Sequence, residues 1–334
     1  MKKEEIYKLY KKKIKLINKY NQFYFDKSAP IVSDKIYDDL KKDILLLESK
    51  YVFLKSNNSP GNSVGHKPSK NFLKSPHRIP MLSLANAFSE EDLINFEKKI
   101  LNFLSRKSDF KIFYSAEPKI DGISASITYK KGNFVKGLSR GDGKEGEDIT
   151  NNLNTIKDIP KHISSKDFPE EIDIRGEVFI QNSDFENMKD KFANPRNAAS
   201  GSLRQKKPED TKKIPLNFIA YTFGFENGLK VETQSEYLKK LEEWGFKVNP
   251  LNKLINGVKN LIHNYNEIEK KRADLDFDID GIVYKVNEFA LQKRLGNVAN
   301  APRWAVAHKF SSSKAVTQIK DIEIQIGRTG ALTP

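Results

Sequence analysis

The sequence predicts an α+β protein: a small helical N-terminal domain followed by a larger domain of mixed strands and helices. Two observations predict it. Over roughly the first 50 positions, Ile6, Leu9, Tyr10, Ile14 and Ile17 recur at helical spacing. From about residue 112, short apolar segments that often alternate replace that period, as at 124–129, 173–180 and 216–223, and these read as strands. The 334 residues suffice for two to three modest domains with real cores, and no internal repeat is present.

Taken in order, the first helix is broken at Ala29-Pro30. Ser33 then serves as the N-cap of a second helix that carries Ile36, Leu40, Ile44 and Leu47 on one side. Residues 55–75 are dense in Ser, Asn, Pro, Gly and Lys and read as an extended connection. Ser89, with Asp92 three residues on, opens a helix of roughly 14 residues. Further helices are expected over 236–244 and 260–272. At 320–326 charge alternates with isoleucine, a strand, before Gly327-Arg328-Thr329-Gly330. The expected domains are 1–70, 71–318 and 319–334.

Composition narrows the chemistry. Lys and Arg total 58 against 44 Asp and Glu, a net charge of +14 that favours polyanions such as nucleic acid. A run such as Lys11-Lys12-Lys13 equally well solvates a surface, so charge alone decides little. Cysteine is absent, which excludes disulfides, thiolate catalysis and cysteine-ligated zinc within these residues. His66, His77, His162, His263 and His308 show no metal-ligand spacing. No apolar run is long enough to span a bilayer, and the Lys-rich N-terminus has no apolar signal core, so a cytoplasmic location is expected.

The informative segment is Glu117-Pro118-Lys119-Ile120-Asp121-Gly122. A lysine becomes a nucleophile when burial and neighbouring cations hold it neutral. Asp121 would orient the amine, and Gly122 would let the backbone approach a ligand closely. On its own, a lysine before an Asp-Gly turn is usually structural. Three strand-like segments follow it, however: Arg175–Phe179, Asp278–Lys285 and Trp304–Phe310. They add Glu177, Asp280, Lys285 and Lys309, a set suited to phosphoryl-type transfer. Lys285 and Lys309 are expected near Lys119, where they would disfavour its protonation. Upstream, Asp34, Tyr37 and Asp38 share a helix face, a surface suited to a cationic ring. An acidic helix start that merely complements the dipole is the plain alternative. Gly141-Asp142-Gly143-Lys144-Glu145-Gly146 matches the dinucleotide fingerprint in letters only, since acidic residues crowd the place of the pyrophosphate.

Lys119-Ile120-Asp121-Gly122 resembles the K-x-D-G motif of the covalent nucleotidyltransferases, and the later segments resemble its downstream motifs in order. Asp34-Lys35-Ile36-Tyr37-Asp38, after an aromatic pair in which Tyr24 matches, resembles the NMN-binding domain of bacterial NAD⁺-dependent DNA ligases. Phe25 stands where many members carry His or Tyr, and His308 where they carry Phe or Tyr. The likeness runs from about Tyr20 to Pro334. It implies an ATP-grasp-like nucleotidyltransferase domain of antiparallel sheets with helices. It also implies that Lys119 takes AMP from NAD⁺, releasing NMN. Tyr24, Asp34, Tyr37 and Asp38 would hold the NMN half; Ser83 and Leu84 would line the adenosine pocket. Glu117, Arg140 and Glu177 would hold adenine and ribose, while Lys285 and Lys309 stabilise the adenylate. Arg196 and Arg204 would reach DNA or AMP phosphate, and Asp280 would arrange Mg²⁺. The implied partner is nicked duplex DNA, the implied state a monomer. Residues 319–334 would begin an oligonucleotide-binding domain, so that this chain charges itself but seals nicks poorly. Two other readings stay open: an ATP-dependent enzyme of the same superfamily, or a basic DNA-binding protein with a vestigial site.

Overall fold

The computed structural model describes residues 3–21, 23, 32, 34–54, 59, 72–299, 301–311, 321, 325–326 and 332–333. Tyr24, Phe25, the Ser33 cap, the Asp34 side chain, most of the 55–75 connection and Gly327-Arg328-Thr329-Gly330 lie outside the described residues.

The N-terminal part is two helices, α1 (Lys3–Asn21) and α2 (Asp34–Lys50). Ile6, Tyr10 and Ile17 of α1 meet Ile44 of α2 and Leu54 in a small core of their own. At its edge the Tyr10 hydroxyl donates to Glu48 at 2.6 Å. The next elements are β1 (Lys74–Pro76), β2 (Ala85–Ala87) and α3 (Glu90–Phe103). Ser89 and Asp92 form the expected capping box on α3, which has 14 residues.

The larger part continues with β3 (Phe113–Ile120), β4 (Ile123–Lys130), β5 (Asn133–Ser139) and β6 (Glu145–Glu147). The short helix α4 (Thr150–Leu153) precedes β7 (Glu171–Ile180), followed by α5 (Asn182–Phe185), α6 (Pro195–Leu203) and α7 (Pro208–Lys212). Then come β8 (Leu216–Asn227), α8 (Gln234–Glu243), β9 (Lys253–Asn256) and α9 (Val258–Lys271). Next come β10 (Ile279–Val286), α10 (Phe289–Leu295), β11 (Asn297–Val298), β12 (Ala301–Pro302) and β13 (Ala305–Lys309), and beyond them β14 (Gln325–Ile326) pairs antiparallel with β15 (Leu332–Thr333).

Two sheets organise these strands. One is four-stranded in the order β5-β4-β7-β8, and antiparallel throughout. The other is five-stranded in the order β2-β13-β10-β3-β9. The expectation of antiparallel sheets needs one correction, because β2 runs parallel to β13 at the edge. A parallel neighbour requires a crossover, and here nearly the whole domain supplies it. Each sheet has its own core, with Phe179 and Ile219 of the first sheet packed into the core of the second. β7 lacks the alternation seen in sequence-read strands because its residues are covered on both faces, only Glu171 and Glu177 being less than fully buried. The Gly141–Gly146 stretch joins β5 to β6 through a turn in which Gly141 and Gly143 have φ of +56° and +86°. Its last two residues enter β6 rather than open a helix, as the reading against a dinucleotide fold expects.

Candidate functional site

A cavity of about 510 Å³ opens between the two sheets and is bounded on one side by α2. β3 supplies its centre. Side chains alternate along a strand, so Ser115, Glu117 and Lys119 share the face toward the cavity. Lys119 pairs with Asp280 at 2.9 Å, their side chains 29% and 18% exposed. Burial opposes the charge on Lys119, yet the Asp280 carboxylate together with Glu177 outweighs burial and the repulsion of Arg196, so its pKa is raised. This corrects the expectation that neighbouring lysines depress it. Lys285 and Lys309 are occupied elsewhere.

Glu117 forms a nearly closed pair with Lys285 at 2.7 Å, with side-chain exposures of 6% and 8%. Its other oxygen accepts from Ser115 at 2.8 Å and Gln234 at 3.0 Å. Lys285 also donates to the Tyr221 carbonyl at 2.9 Å. Lys309 reaches across to Asp38 of α2 at 2.6 Å, tying the helical part to β13. Gly281 makes this crowding possible: a Cβ there would lie 2.3 Å from the His308 carbonyl of β13.

Asp121, expected to orient the Lys119 amine, feels the Lys119 charge but makes its hydrogen bond elsewhere. It turns to Arg196 in an ion pair, which overcomes burial and lowers its pKa. Gly122 also differs in its reason. Its missing Cβ makes room for the Val178 carbonyl, 2.4 Å from where that atom would stand, and for Glu177, rather than for a ligand. Glu177 accepts from Ser124 at 2.9 Å, and burial pushes its carboxyl up to about 7 despite Lys119 and Arg196 nearby.

The remaining sequence-expected residues divide. Ser83 and Leu84 line the cavity, and Arg140 donates to the Ser83 hydroxyl at 2.8 Å. Tyr37 lines it too, its hydroxyl donating to Asn21 at 2.8 Å. Arg204 is held by the buried Glu147 at 2.9 Å and is not part of the cavity lining. His308 is buried and stacked on Tyr265 with centroids 4.0 Å apart, and burial lowers its pKa to about 4. It packs as a neutral ring, in keeping with an aromatic position.

For the metal expectation, the described residues contain no group of three or more acidic or histidine side chains able to cage an ion. Asp280 does leave its Oδ1 buried without a hydrogen-bond partner among the described residues. Magnesium commonly needs no more than one or two carboxylates beside substrate phosphates, and that donor set fits.

Sequence reasoning missed several lining residues, among them Lys41, Arg175, Tyr221 and Trp304. Arg175 fixes the connecting segment by donating to the carbonyls of Ile79 and Pro80. Lys41 was within reach of the same logic as Asp34 and Asp38, since it lies three residues past Asp38 on the same helix face. No helix among the described residues is long and apolar enough to cross a membrane.

Comparison with known proteins identifies the family. Residues 69–313 match the NAD-dependent DNA ligase adenylation domain, and residues 3–65 match the DNA ligase-like N-terminal NAD⁺-binding domain. A DNA ligase of Pelagibacter ubique (strain HTCC1062) is 66% identical over 325 residues, covering 97% of this chain and 48% of that protein. One from Parvibaculum lavamentivorans is 46% identical, over 95% of this chain and 46% of that protein. The chain thus spans about half the length of the curated relatives it matches. Among solved structures, the ATP-dependent DNA ligase from bacteriophage T7 in complex with ATP aligns with a TM-score of 0.35 at 15% identity, over 75% of this chain and 78% of that one. The chain belongs to the NAD-dependent DNA ligase adenylation family.

Proposed function

We propose that this chain performs the first step of an NAD⁺-dependent DNA ligase, transferring AMP from NAD⁺ to Lys119. The observation that carries the reading is the Lys119 amine, opening into a cavity between the sheets and held at 2.9 Å by Asp280. NAD⁺ would lie with its NMN half against Tyr37 and Asp38, with Asp34 and Tyr24 as further candidates, and its adenylate between the sheets. Lys119 becomes the neutral amine by passing a proton to Asp280 Oδ2. Its nitrogen then attacks the α-phosphorus, the bond to the bridging oxygen breaks, and the electron pair leaves on the NMN phosphate. The nitrogen then gives a second proton to solvent water, leaving the lysyl-AMP phosphoramide.

Around that step, the Glu117–Lys285 pair and Gln234 form a rigid polar wall, and Arg140 with Ser83 forms another. Arg196, paired with Asp121 beside Lys119, is placed to meet the adenylate phosphate. Arg204 is the weaker candidate for DNA phosphate because Glu147 already holds it. Mg²⁺ would be held by Asp280 Oδ1 and would neutralise phosphate charge when bound. The NMN-binding part is assigned to residues 1–70, the adenylating part to 71–318, and 319–334 to the start of a further domain. In the longer protein the adenylate would pass to the 5′-phosphate of nicked duplex DNA.

Incubation with NAD⁺ labelled in its adenylate tests the reading. The protein should acquire acid-labile label, and ATP labelled in the same position should give none. Label retained by Lys119→Ala would sink the nucleophile assignment.

A further inference from the structure

Lys41 is a cation of this cavity that neither the motifs nor the reaction above employs. Its side chain lines the cavity from α2, beside Tyr37, Asp38 and Arg140. Other cations there have fixed partners: Lys119 with Asp280, Lys285 with Glu117, Lys309 with Asp38, Arg196 with Asp121. The Lys41 side chain makes no ion pair or hydrogen bond among the described residues. Asp38, whose charge it feels, already binds Lys309 at 2.6 Å. Burial, Arg140 and Lys309 together outweigh that attraction and loosen its proton. A partly desolvated ammonium with like charges beside it gains strongly from an anion.

We propose that Lys41 binds the phosphate on the NMN side of the dinucleotide and stabilises it as the leaving group. The inference rests on the adenylation reading above. Within NAD⁺ that phosphate carries a single charge. Once the bridging P–O bond breaks, the electron pair stays on its oxygen and it becomes a monoester of about −1.5 to −2. A cation facing it therefore gains more in the transition state than in the ground state, which raises turnover beyond simple affinity. The long flexible stem of lysine lets the charge follow the phosphate as it withdraws. Lys119 thus meets the phosphorus from one side of the breaking bond and Lys41 meets the departing oxygen from the other.

The test compares wild type with Lys41→Met and Lys41→Arg in single-turnover labelling by NAD⁺, with inhibition by NMN and by nicotinamide riboside measured alongside. Lys41→Met should slow labelling at saturating NAD⁺ about tenfold or more, the scale of a lost charge-assisted hydrogen bond. NMN inhibition should weaken by a similar factor, inhibition by the phosphate-free riboside should stay unchanged, and Lys41→Arg should recover most of the loss. Unchanged labelling and NMN inhibition overturn the proposal. So does an equal loss toward NMN and riboside, which marks a packing role; Lys41→Gln repeats the test should the Met variant melt early. Absence of label on wild type overturns the adenylation reading itself, whereas a labelled wild type beside an unaffected Lys41→Met overturns the role of Lys41 alone.

Discussion

Two lysine–carboxylate pairs bridge β3 and its neighbour β10 with their charges exchanged. In one, β3 gives the acid, Glu117, and β10 the base, Lys285. In the other, β3 gives the base, Lys119, and β10 the acid, Asp280. The first pair is closed: it is buried, and Ser115, Gln234 and the Tyr221 carbonyl saturate it. The second is half open, and Asp280 keeps one oxygen without a hydrogen-bond partner among the described residues. The difference teaches how one sheet separates holding from reacting. A buried charge pair with all its hydrogen bonds made is a fixed dipole, whereas a pair left partly unsatisfied can exchange protons and admit a ligand.

The largest effect that would sharpen this contrast is on chemistry. Lys119→Ala and Lys119→Arg should each cut NAD⁺ labelling to below about one thousandth, because arginine does not surrender its proton. Both should melt close to wild type, and a large fall in Tm would blur the division between the pairs. Next, Glu117→Gln should lower unfolding free energy by about 3–5 kcal/mol, read from urea midpoints, because it strands the Lys285 charge. The double change Glu117→Gln with Lys285→Met should be milder than that single one.

Glu177 comes third. Its carboxyl titrates near 7 in the folded protein against about 4.5 when unfolded, so between those values the native state holds a proton that the unfolded chain has released. Stability therefore falls as pH rises through that window. Glu177→Gln should remove the fall, stabilising the protein at pH 8 by up to about 3 kcal/mol while changing little at pH 4. A Tm–pH curve parallel to wild type would break the prediction. The smallest effect on stability belongs to Asp280→Asn, whose partly exposed pair should cost only about 1 kcal/mol. Removing the acid that raises the Lys119 pKa should move the acidic limb of the labelling rate toward lower pH.

Helix and strand positions were readable wherever one face is buried and the period shows. The α3 capping box, β4 and β8 lie at or within a few residues of their expected places. Lys119, Asp280, Lys285, Lys309 and Asp38 were expected as site residues, and the fold brings them to one cavity. Their pairing was not readable. Asp280 and Lys285 sit at odd separation and in a regular strand would face opposite ways. The irregular register between Ile279 and Gly281 is what lets Asp280 share a side with Lys119.

Sequence alone determined the residue types, their order along the chain, and the family to which those motifs point, because motifs and periodicity are local properties. Tertiary structure decided which carboxylate serves which cation. It set Asp121 against Arg196, Asp38 against Lys309 and Arg204 against Glu147, and it left Lys41 facing the cavity. It also raised the Lys119 pKa where neighbouring lysines were expected to lower it. Charge interactions fall off over a few ångströms in a partly desolvated cavity, so the partner found at 2.9 Å outweighs every cation that the sequence places nearby in order alone.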